Sequence, residues 1–285
     1  MFHLNRFGIL GGDKRQLYCG KSIADDGYSV LFSGFDRFDD SEHLIGDRHT
    51  DAATLIRQCD ALLLPLPCTR DGVTLHAPFS SEILSVDRLL PALGDKPVFC
   101  GMADKLPFSG DLIFDYSKRE EFAVENAVPT SEGAIAIAMQ EAPFTVHGSR
   151  CLITGFGRIG RVLSRMLYGL GAKVTVSARS LRDIAFIRAS GMNALSSERL
   201  QGEYDFIFNT VPFRLLDAPT LARITTSDTI VIDLASLPGG VDDEGAGRLS
   251  LRVIHALSLP GKAAPKTAGI IIKNAVYHII REEQL

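Results

Sequence analysis

One segment constrains the fold more than any other, residues 151–160, which read CLITGFGRIG. A short apolar run leads into a GxGxxG pattern, and apolar residues then recur at helical spacing as far as Leu170. In such a strand–turn–helix the first glycine allows the tight bend, the second lets the backbone approach a pyrophosphate, and the third lets the helix pack on the strand. The helix N-terminus then faces the phosphates. The segment therefore predicts a dinucleotide site, formed by Gly155, Phe156, Gly157, Arg158, Ile159 and Gly160.

The residues after the next predicted strand, 173–178, indicate which dinucleotide binds. An NAD-preferring fold places Asp or Glu about 20 residues beyond the glycines, where it binds the ribose 2′-hydroxyl. Here that place holds Ser177 and Ala178, followed by Arg179 and Ser180. No carboxylate is present to repel a 2′-phosphate, and a guanidinium and a hydroxyl are available to bind one. We therefore predict NADP, with a solvated Arg179 that binds nothing as the alternative.

The whole chain has the composition of a globular enzyme. Its 285 residues suit two domains, and its 46% hydrophobic and 22% charged residues are typical of globular proteins. A formal net charge of -4 gives no electrostatic reason to expect nucleic acid or an anionic membrane as a partner. The 5 cysteines are never spaced as CxxC, so no disulfide framework and no metal site is predicted. Without a signal peptide or a long apolar run, the chain is predicted to be cytoplasmic.

Strand and helix patterns alternate in both halves of the sequence. This predicts an α/β protein with two Rossmann-like, doubly wound parallel-sheet domains and a cleft between them. We place a substrate-binding domain at residues 1–144 and the dinucleotide domain at 145–285. A linking helix is predicted at about 130–142, capped by Thr130 or Ser131. The apolar final helix, about 268–281, is a candidate to pack back on the first domain.

Loops that follow strands supply the candidate site residues, because open α/β sheets bind ligands at the carboxyl ends of their strands. In the second domain, the predicted cofactor contacts beyond the glycine loop lie in the loops 209–212 and 233–240. They are Asn209, Thr210, Val211, Pro212 and Ser236.

In the first domain, the loop after the first strand lacks GxGxxG. Its Arg15 suits a carboxylate held by two N–H groups, with an ion pair to Asp13 as the alternative. His76 is the best histidine candidate for a general base. Glu132 either accepts a proton or orients substrate, or it only favours the dipole of its helix. Lys266 either binds substrate or is solvated. The substrate is expected in the cleft.

Several segments together resemble the A-subunit family of dipicolinate synthase. The most particular are the helix start at residues 129–135 and the stretch APKTAG at 264–269, and others are 11–16, 76–80, 147–148, 178–180 and 233–240. The resemblance implies oxidation of a dihydrodipicolinate-type product to pyridine-2,6-dicarboxylate, with NADP as acceptor. It also implies a flavoprotein-like B subunit as partner and the mother-cell cytoplasm of a sporulating bacterium.

Aromatising such a ring removes a hydride and a proton while two carboxylates are held. We assign three catalytic candidates, Glu132, His76 and Lys266. The substrate-binding candidates are Asp13, Arg15, Ser80, Thr130 and Thr267.

Two alternatives remain open. One is another NADP-dependent two-domain dehydrogenase, acting on a small hydroxy, amino or imino acid. A hydroxyacid enzyme would place a catalytic histidine after the proline of the late loop, whereas here Pro260 is followed by Gly261 and Lys262. The other is a non-catalytic subunit that binds NADP without turnover. The sequence leaves the oligomeric state open, a homo-oligomer included, as well as the hydration state of the substrate.

Overall fold

The computed structural model describes residues 4–285, with the side chains of residues 47 and 89–92 left out of the description. The chain divides into two compact units. The first runs to Asn126 and also contains Ala264–Leu285, and the second is Ala127–Ala263. Each unit is built on its own parallel β-sheet with helices between the strands. The predicted fold class is therefore confirmed.

The first unit contains a five-stranded sheet of order β2-β1-β3-β4-β5. Strands and helices alternate, as β1 Arg6–Leu10, α1 Lys14–Asp25, β2 Ser29–Ser33, α2 Ala52–Gln58, β3 Ala61–Leu63, α3 Val86–Leu93, β4 Val98–Cys100 and β5 Ile113–Asp115. The central strands β1, β3 and β4 are apolar and nearly fully buried, as expected where helices cover both faces of a parallel sheet. The apolar runs at residues 7–10, 29–32, 60–65 and 97–100 predict four of these strands from the sequence, whereas the short β5 was not predicted.

The helix α4, Glu120–Glu141, carries the chain from the first unit to the second. It begins well before the predicted start, so Thr130 and Ser131 lie in its interior and do not cap it. The hydroxyl of Ser131 instead donates a 2.7 Å hydrogen bond to the carbonyl of Ala127. Pro129 removes one backbone donor without ending the helix, because Phe122 anchors the earlier turn in the core of the first unit.

The second unit contains a six-stranded sheet of order β11-β10-β9-β6-β7-β8. Its elements are β6 Arg150–Thr154, α5 Arg158–Gly169, β7 Lys173–Ala178, α6 Leu181–Ala189, β8 Asn193–Ser196, β9 Tyr204–Asn209, α7 Ala218–Ile224, β10 Thr225–Asp233, α8 Asp243–Arg248, β11 Arg252–His255 and α9 Leu259–Ala263. All of its strand pairs are parallel. The order is that of a dinucleotide-binding sheet.

The last helix, α10 Pro265–Glu282, belongs to the first unit and packs along α1. A Cβ on Gly269 would lie 2.5 Å from the carbonyl oxygen of Arg15, so the glycine lets the two helices approach closely. Further along both helices, Lys273 Nζ lies 2.7 Å from Asp26 Oδ2. The two helices therefore run parallel, and their first turns lie at the same end of the unit.

None of the helices within residues 4–285 has the length and apolar character needed to cross a membrane.

Candidate functional site

The glycine loop follows β6, and two of its glycines are required by packing within the protein. Gly155 has φ +94, and a Cβ there would lie 2.6 Å from Thr210 Oγ1. A Cβ on Gly160 would lie 2.2 Å from the carbonyl oxygen of Gly155. Gly157 is different, because no described atom would lie within 4 Å of a Cβ built on it. The space beside Gly157 is open to a ligand.

The amino end of α5 is available to an anion, whereas that of α1 is not. Gly157 is the N-cap of α5 and provides no side-chain hydrogen bond to its first turn. The first turn of α1 is closed by a capping box, in which Asp13 Oδ1 accepts from the amide of Arg15 at 2.9 Å and Gln16 Oε1 accepts from the amide of Asp13 at 3.1 Å. Free amides at a helix N-terminus bind phosphate well. The loop at α5 therefore fits a pyrophosphate, and the loop at α1 does not.

The glycine loop also lies where the strand order of the second sheet reverses. Strands β6 and β9 are neighbours in the sheet but not in the sequence. Ligands of open α/β sheets bind outside the carboxyl ends of the strands at such a point. The loop after β9, which contains Thr210, Val211 and Pro212, flanks the glycine loop, and Thr210 Oγ1 donates a 2.7 Å hydrogen bond to the carbonyl of Thr154.

A row of polar side chains crosses the second sheet at one register position. Thr154, Asn209, Asp233 and His255 pair across β6, β9, β10 and β11. Thr154 Oγ1 donates to Asn209 Oδ1 at 2.5 Å, and Asn209 Nδ2 donates to Asp233 Oδ1 at 2.8 Å. At the far end, His255 Nδ1 lies 3.9 Å from Asp233 Oδ2. The row joins the ends of four strands.

Both polar atoms of the Asn209 side chain are hydrogen-bonded within the protein. Its Nδ2 also donates to the carbonyl of Val211 at 3.0 Å, and its Oδ1 accepts from the amide of Val211 at 3.2 Å. The side chain is completely buried. Asn209 therefore holds the loop after β9 in place, and any influence on the cofactor acts through that loop.

At the end of β7, Ala178 is buried while Arg179 and Ser180 are exposed. Ser180 caps α6, since its Oγ accepts from the amide of Asp183 at 3.0 Å. Asp183, which is the acidic residue of α6, also pairs with Arg161 at 3.2 Å. Arg179 makes no hydrogen bond or ion pair with any residue the structure describes. Its guanidinium is thus available at the position where a 2′-phosphate is expected.

In the first unit, Arg15 is engaged in the ion pair that the sequence left as the alternative. It is only 5% exposed, and its Nε and Nη2 lie 2.9 and 2.8 Å from the carboxylate oxygens of Asp13. Nη2 also donates to the carbonyl of Leu66. Burial opposes ionisation of Asp13, but the hydrogen bonds and charge of Arg15 outweigh it and lower the pKa of Asp13. Arg15 keeps Nη1, which bonds to none of the described residues.

His76 lies next to this ion pair. Its carbonyl accepts a 2.8 Å hydrogen bond from the amide of Gly12, which fixes the loop 76–80 on the loop after β1. The pKa of half-buried His76 is lowered, first by burial and then by the positive charge of Arg70, with Asp13 opposing. Arg70 is exposed and unpaired within the described range. No role was predicted for Arg70 from the sequence, although its place in the polar loop 67–72 after β3 was a usable signal.

Lys266 and Thr267 lie in the first turn of α10, where both are exposed. Because α10 runs parallel to α1, this turn lies at the same end of the unit as Asp13 and Arg15. That end is the carboxyl edge of β1 and β3, where the order of the first sheet reverses. The structure therefore brings Asp13, Arg15, His76 and Lys266 to one edge.

Four further predicted residues can be located. In the first unit, Ser80 is half-buried and its Oγ accepts from the amide of Glu82 at 3.2 Å. In the second unit, Glu132 is exposed on α4, Thr130 is buried in the same helix, and Ser236 is exposed in the loop after β10. Within residues 4–285, no group of three or more His, Cys, Asp or Glu is placed to hold a metal ion.

Two protein-family models match the chain. Residues 6–106 match the model of the N-terminal domain of the dipicolinate synthase A subunit. Residues 124–235 match the NAD binding domain of D-isomer specific 2-hydroxyacid dehydrogenase. The second match confirms a nicotinamide-dinucleotide-binding domain of the dehydrogenase type around the glycine loop.

Individual relatives match nearly the whole chain. The dipicolinate synthase A subunit of Bacillus subtilis (strain 168) is 30% identical over 98% of this chain and 97% of its own length. The crystal structure of the A chain of dipicolinate synthase from Bacillus subtilis superposes with a TM-score of 0.82 at 28% identity, covering 100% of this chain and 98% of that one. The structure of the dipicolinate synthase A subunit from Bacillus halodurans gives 0.80 at 29% identity, covering 98% and 99%. The resemblance seen in the sequence is confirmed.

Proposed function

The chain belongs to the A-subunit family of dipicolinate synthase, and from this premise we propose that it oxidises dihydrodipicolinate to pyridine-2,6-dicarboxylate, or oxidises the hydroxylated tetrahydro precursor with loss of water to the same product. NADP is the proposed acceptor. The second unit carries a dehydrogenase-type dinucleotide domain, so the chain is an oxidoreductase. The choice of NADP, the substrate and the residues that act on it are inferences from the chemistry of the two sites.

The second unit has the features that a dinucleotide needs. The open space beside Gly157 and the uncapped first turn of α5 suit the pyrophosphate. Thr210 and Val211 lie in the neighbouring loop, which the side chain of Asn209 holds in place through hydrogen bonds to the backbone of Val211. Ser236 is exposed in the loop after the adjacent strand β10 and is the proposed contact to the nicotinamide end. When bound, the nicotinamide supplies a hydride acceptor.

The preference for NADP rests on Arg179. It follows β7 directly, is exposed, and has no partner among the described residues. The carboxylate of Asp183 is held by Ser180 and Arg161, so it is engaged away from a ribose. A guanidinium binds a phosphate through two parallel N–H···O contacts. We assign Arg179 to the 2′-phosphate.

The first unit has cationic groups for a dianionic ring. Arg70 and Lys266 are exposed and unpaired within the described chain, and Arg15 retains Nη1. The first turn of α10 adds a helix N-terminus without a side-chain cap, which also favours an anion. We assign the two substrate carboxylates to Arg70, Lys266 and Arg15, with Asp13 acting by orienting Arg15. Ser80 and Thr267 remain proposed hydroxyl contacts in this unit, whereas Thr130, which is buried in α4 of the second unit, stays a prediction from the sequence.

The proton lost on aromatisation is assigned to His76. A histidine whose pKa lies below its usual 6.5 is neutral at pH 7 and can accept a proton. Burial lowers this pKa most, the charge of Arg70 lowers it further, and the charge of Asp13 opposes the shift. Arg70 and Asp13 both belong to the proposed carboxylate site. Glu132, on the exposed face of α4, is the second candidate.

Because the family is named for one subunit of a synthase, we propose that the chain works with a second, flavoprotein-like B subunit.

The observation that carries the functional proposal is the presence of Arg70, Lys266 and the half-buried His76 at the carboxyl edge of the first sheet. These side chains supply two cations and a base, which oxidation of a ring dicarboxylate requires.

The proposed reaction is tested by ultraviolet detection of dipicolinate. Purified chain is mixed with NADP and the freshly generated condensation product of aspartate semialdehyde and pyruvate, with NAD as a parallel acceptor. We expect aromatic product in step with NADPH. If NADPH binds but no product forms, even when the partner subunit is present, the chain binds the cofactor without turnover and the proposal fails.

A further inference from the structure

A cavity of about 510 Å³ lies between α5 and α6 on the second unit, and the proposed reaction does not use it. Its volume is in the range of small-molecule sites. Three arginines and three aromatic residues are among the side chains that line it: Arg161, Arg165, Arg182, Phe156, Tyr168 and Phe186.

The cavity lies in a strongly basic part of an otherwise acidic chain. Residues 156–192 contain 7 cationic side chains and 1 acidic side chain, Asp183, whereas the whole chain has a net charge of -4. Asp183 pairs with Arg161 at 3.2 Å. Arg165 and Arg182 form no ion pair with any carboxylate in the described structure. Positive charge gathered in one concave site attracts an anion.

The aromatic rings give the cavity a second property. Tyr168 and Phe186 are 50% and 53% exposed, so about half of each side chain is open to a ligand. Arg161 lies over the ring of Phe156, 5.0 Å from its centroid, and Arg182 lies 5.7 Å from the centroid of Phe186. Guanidinium groups held over rings form a surface on which a further planar ring can stack.

We propose that this cavity binds a planar aromatic ligand that carries two or more anionic groups. Such a ligand comes from one of two sources. One is an aromatic dicarboxylate, for which pyridine-2,6-dicarboxylate is the natural probe, and this source rests on the proposed function. The other is a nucleoside polyphosphate.

Occupancy of the cavity is coupled to the glycine loop through Arg161. Its Nε donates a 3.0 Å hydrogen bond to the carbonyl of Phe156, which lies between Gly155 and Gly157. A ligand that draws Arg161 towards itself therefore alters the loop that holds the dinucleotide. By linkage, the ligand must change NADPH affinity by the same factor as NADPH changes ligand affinity.

The proposal is tested by titration calorimetry on the full chain saturated with NADPH, so that the dinucleotide site is occupied. The probes are pyridine-2,6-dicarboxylate, ATP without magnesium, and succinate as a dianion without an aromatic ring. We expect at least one aromatic probe to bind and succinate to bind at least about tenfold more weakly. Arg165→Gln and Arg182→Gln are each expected to weaken the aromatic probe about tenfold.

Two controls separate this site from others. Arg188→Gln removes a charge from the same helix, α6, outside the cavity, and should leave binding unchanged. Lys266→Gln alters the proposed catalytic site and should leave cavity binding intact, so that product binding at that site is recognised. The proposal is overturned if neither aromatic probe binds, or if succinate binds as tightly as the aromatic probe. It is also overturned if Arg165→Gln and Arg182→Gln bind the aromatic probe as tightly as the unaltered chain does, or if Lys266→Gln abolishes binding of that probe. Catalysis can persist in all of these cases, so the two proposals fail separately.

Discussion

Asn209 and Asp233 are hydrogen-bonded to each other in the buried carboxyl edge of the second sheet, with Asn209 Nδ2 2.8 Å from Asp233 Oδ1. Asp233 also accepts from the amides of Ala235 at 3.1 Å and Gly240 at 3.0 Å. The pair therefore ties the loop after β9 to the loop after β10. Both loops follow strands at the dinucleotide edge, so this buried contact positions residues that are themselves exposed.

Replacing Asn209 tests that role. Asn209→Ala leaves Asp233 without one donor in a buried site, and we expect a loss of at least about 2 kcal/mol of unfolding free energy. Dinucleotide affinity should fall as well, because the amide no longer holds Val211. Denaturant unfolding and NADPH titration measure the two effects. Asn193→Ala, on the exposed start of β8, is the matched control, and equal behaviour of the two variants would contradict the assignment.

The glycine loop allows a sharper separation of folding from binding. Gly157→Ala should leave the thermal unfolding midpoint unchanged and lower NADPH affinity, because its Cβ enters open space reserved for the ligand. Gly160→Ala should lower the midpoint, because its Cβ would meet the carbonyl of Gly155 at 2.2 Å. Thermal melts and NADPH titrations of both variants decide the matter. A destabilised Gly157→Ala protein would mean that the space is not open.

Arg179 is predicted to determine cofactor preference. Arg179→Ala should lower the ratio of NADPH to NADH affinity by about ten- to a hundredfold, the contribution of a charge-assisted contact to phosphate. Affinity for NADH itself should change little. Arg188→Ala, a charge removed from the neighbouring helix, serves as the control. An unchanged ratio would show that Arg179 does not bind the 2′-phosphate.

In the first unit, substrate binding is tested better by replacing Arg70 than by replacing Arg15, the residue that the sequence indicates. Arg15→Ala leaves the partly buried Asp13 unpaired and should cost about 3–5 kcal/mol of stability, which masks any effect on substrate. Arg70→Gln breaks no ion pair within the described residues, so it should raise KM for the substrate about tenfold while the unfolding midpoint stays constant. Arg57→Gln on α2 is the control. Steady-state kinetics and melts of the same preparations test this, and an unaltered KM would exclude Arg70 from substrate binding.

If His76 is the proton acceptor, kcat/KM should fall on the acid side of its pH profile. Since the pKa of His76 is lowered from 6.5, kcat/KM should fall with decreasing pH only below that value, where His76 becomes protonated. The same shift means that the unfolded chain binds the proton more readily, so stability is lost as pH falls below 6.5 towards the folded-state pKa. Arg70→Gln removes a repelling charge and should move the acid limb to higher pH. His76→Asn should abolish the limb, and its persistence would assign the proton to another group.

Much of the second unit could be predicted from local patterns. The strand, glycine loop and helix around residues 151–170 are contiguous, and the apolar run at residues 204–209 predicts a strand where β9 is found. The start of α4 was not predicted, because Pro129 resembles a helix boundary in sequence while the buried Phe122 extends the helix in space. Short elements such as β5 and β8 have too few residues for a clear period.

The sequence by itself determined the α/β class, the family and the dinucleotide loop, because these depend on periodicity and on glycines spaced along one stretch of chain. Only the tertiary structure decided which polar groups are free. It buried Arg15 against Asp13 and Asn209 against Asp233, and it left Arg70 and Arg179 without partners among the described residues. The physical reason is that ion pairing and burial depend on neighbours brought together by folding. Asn209 and Asp233 are 24 residues apart in the chain, and nothing in their sequence spacing predicts the hydrogen bond between them.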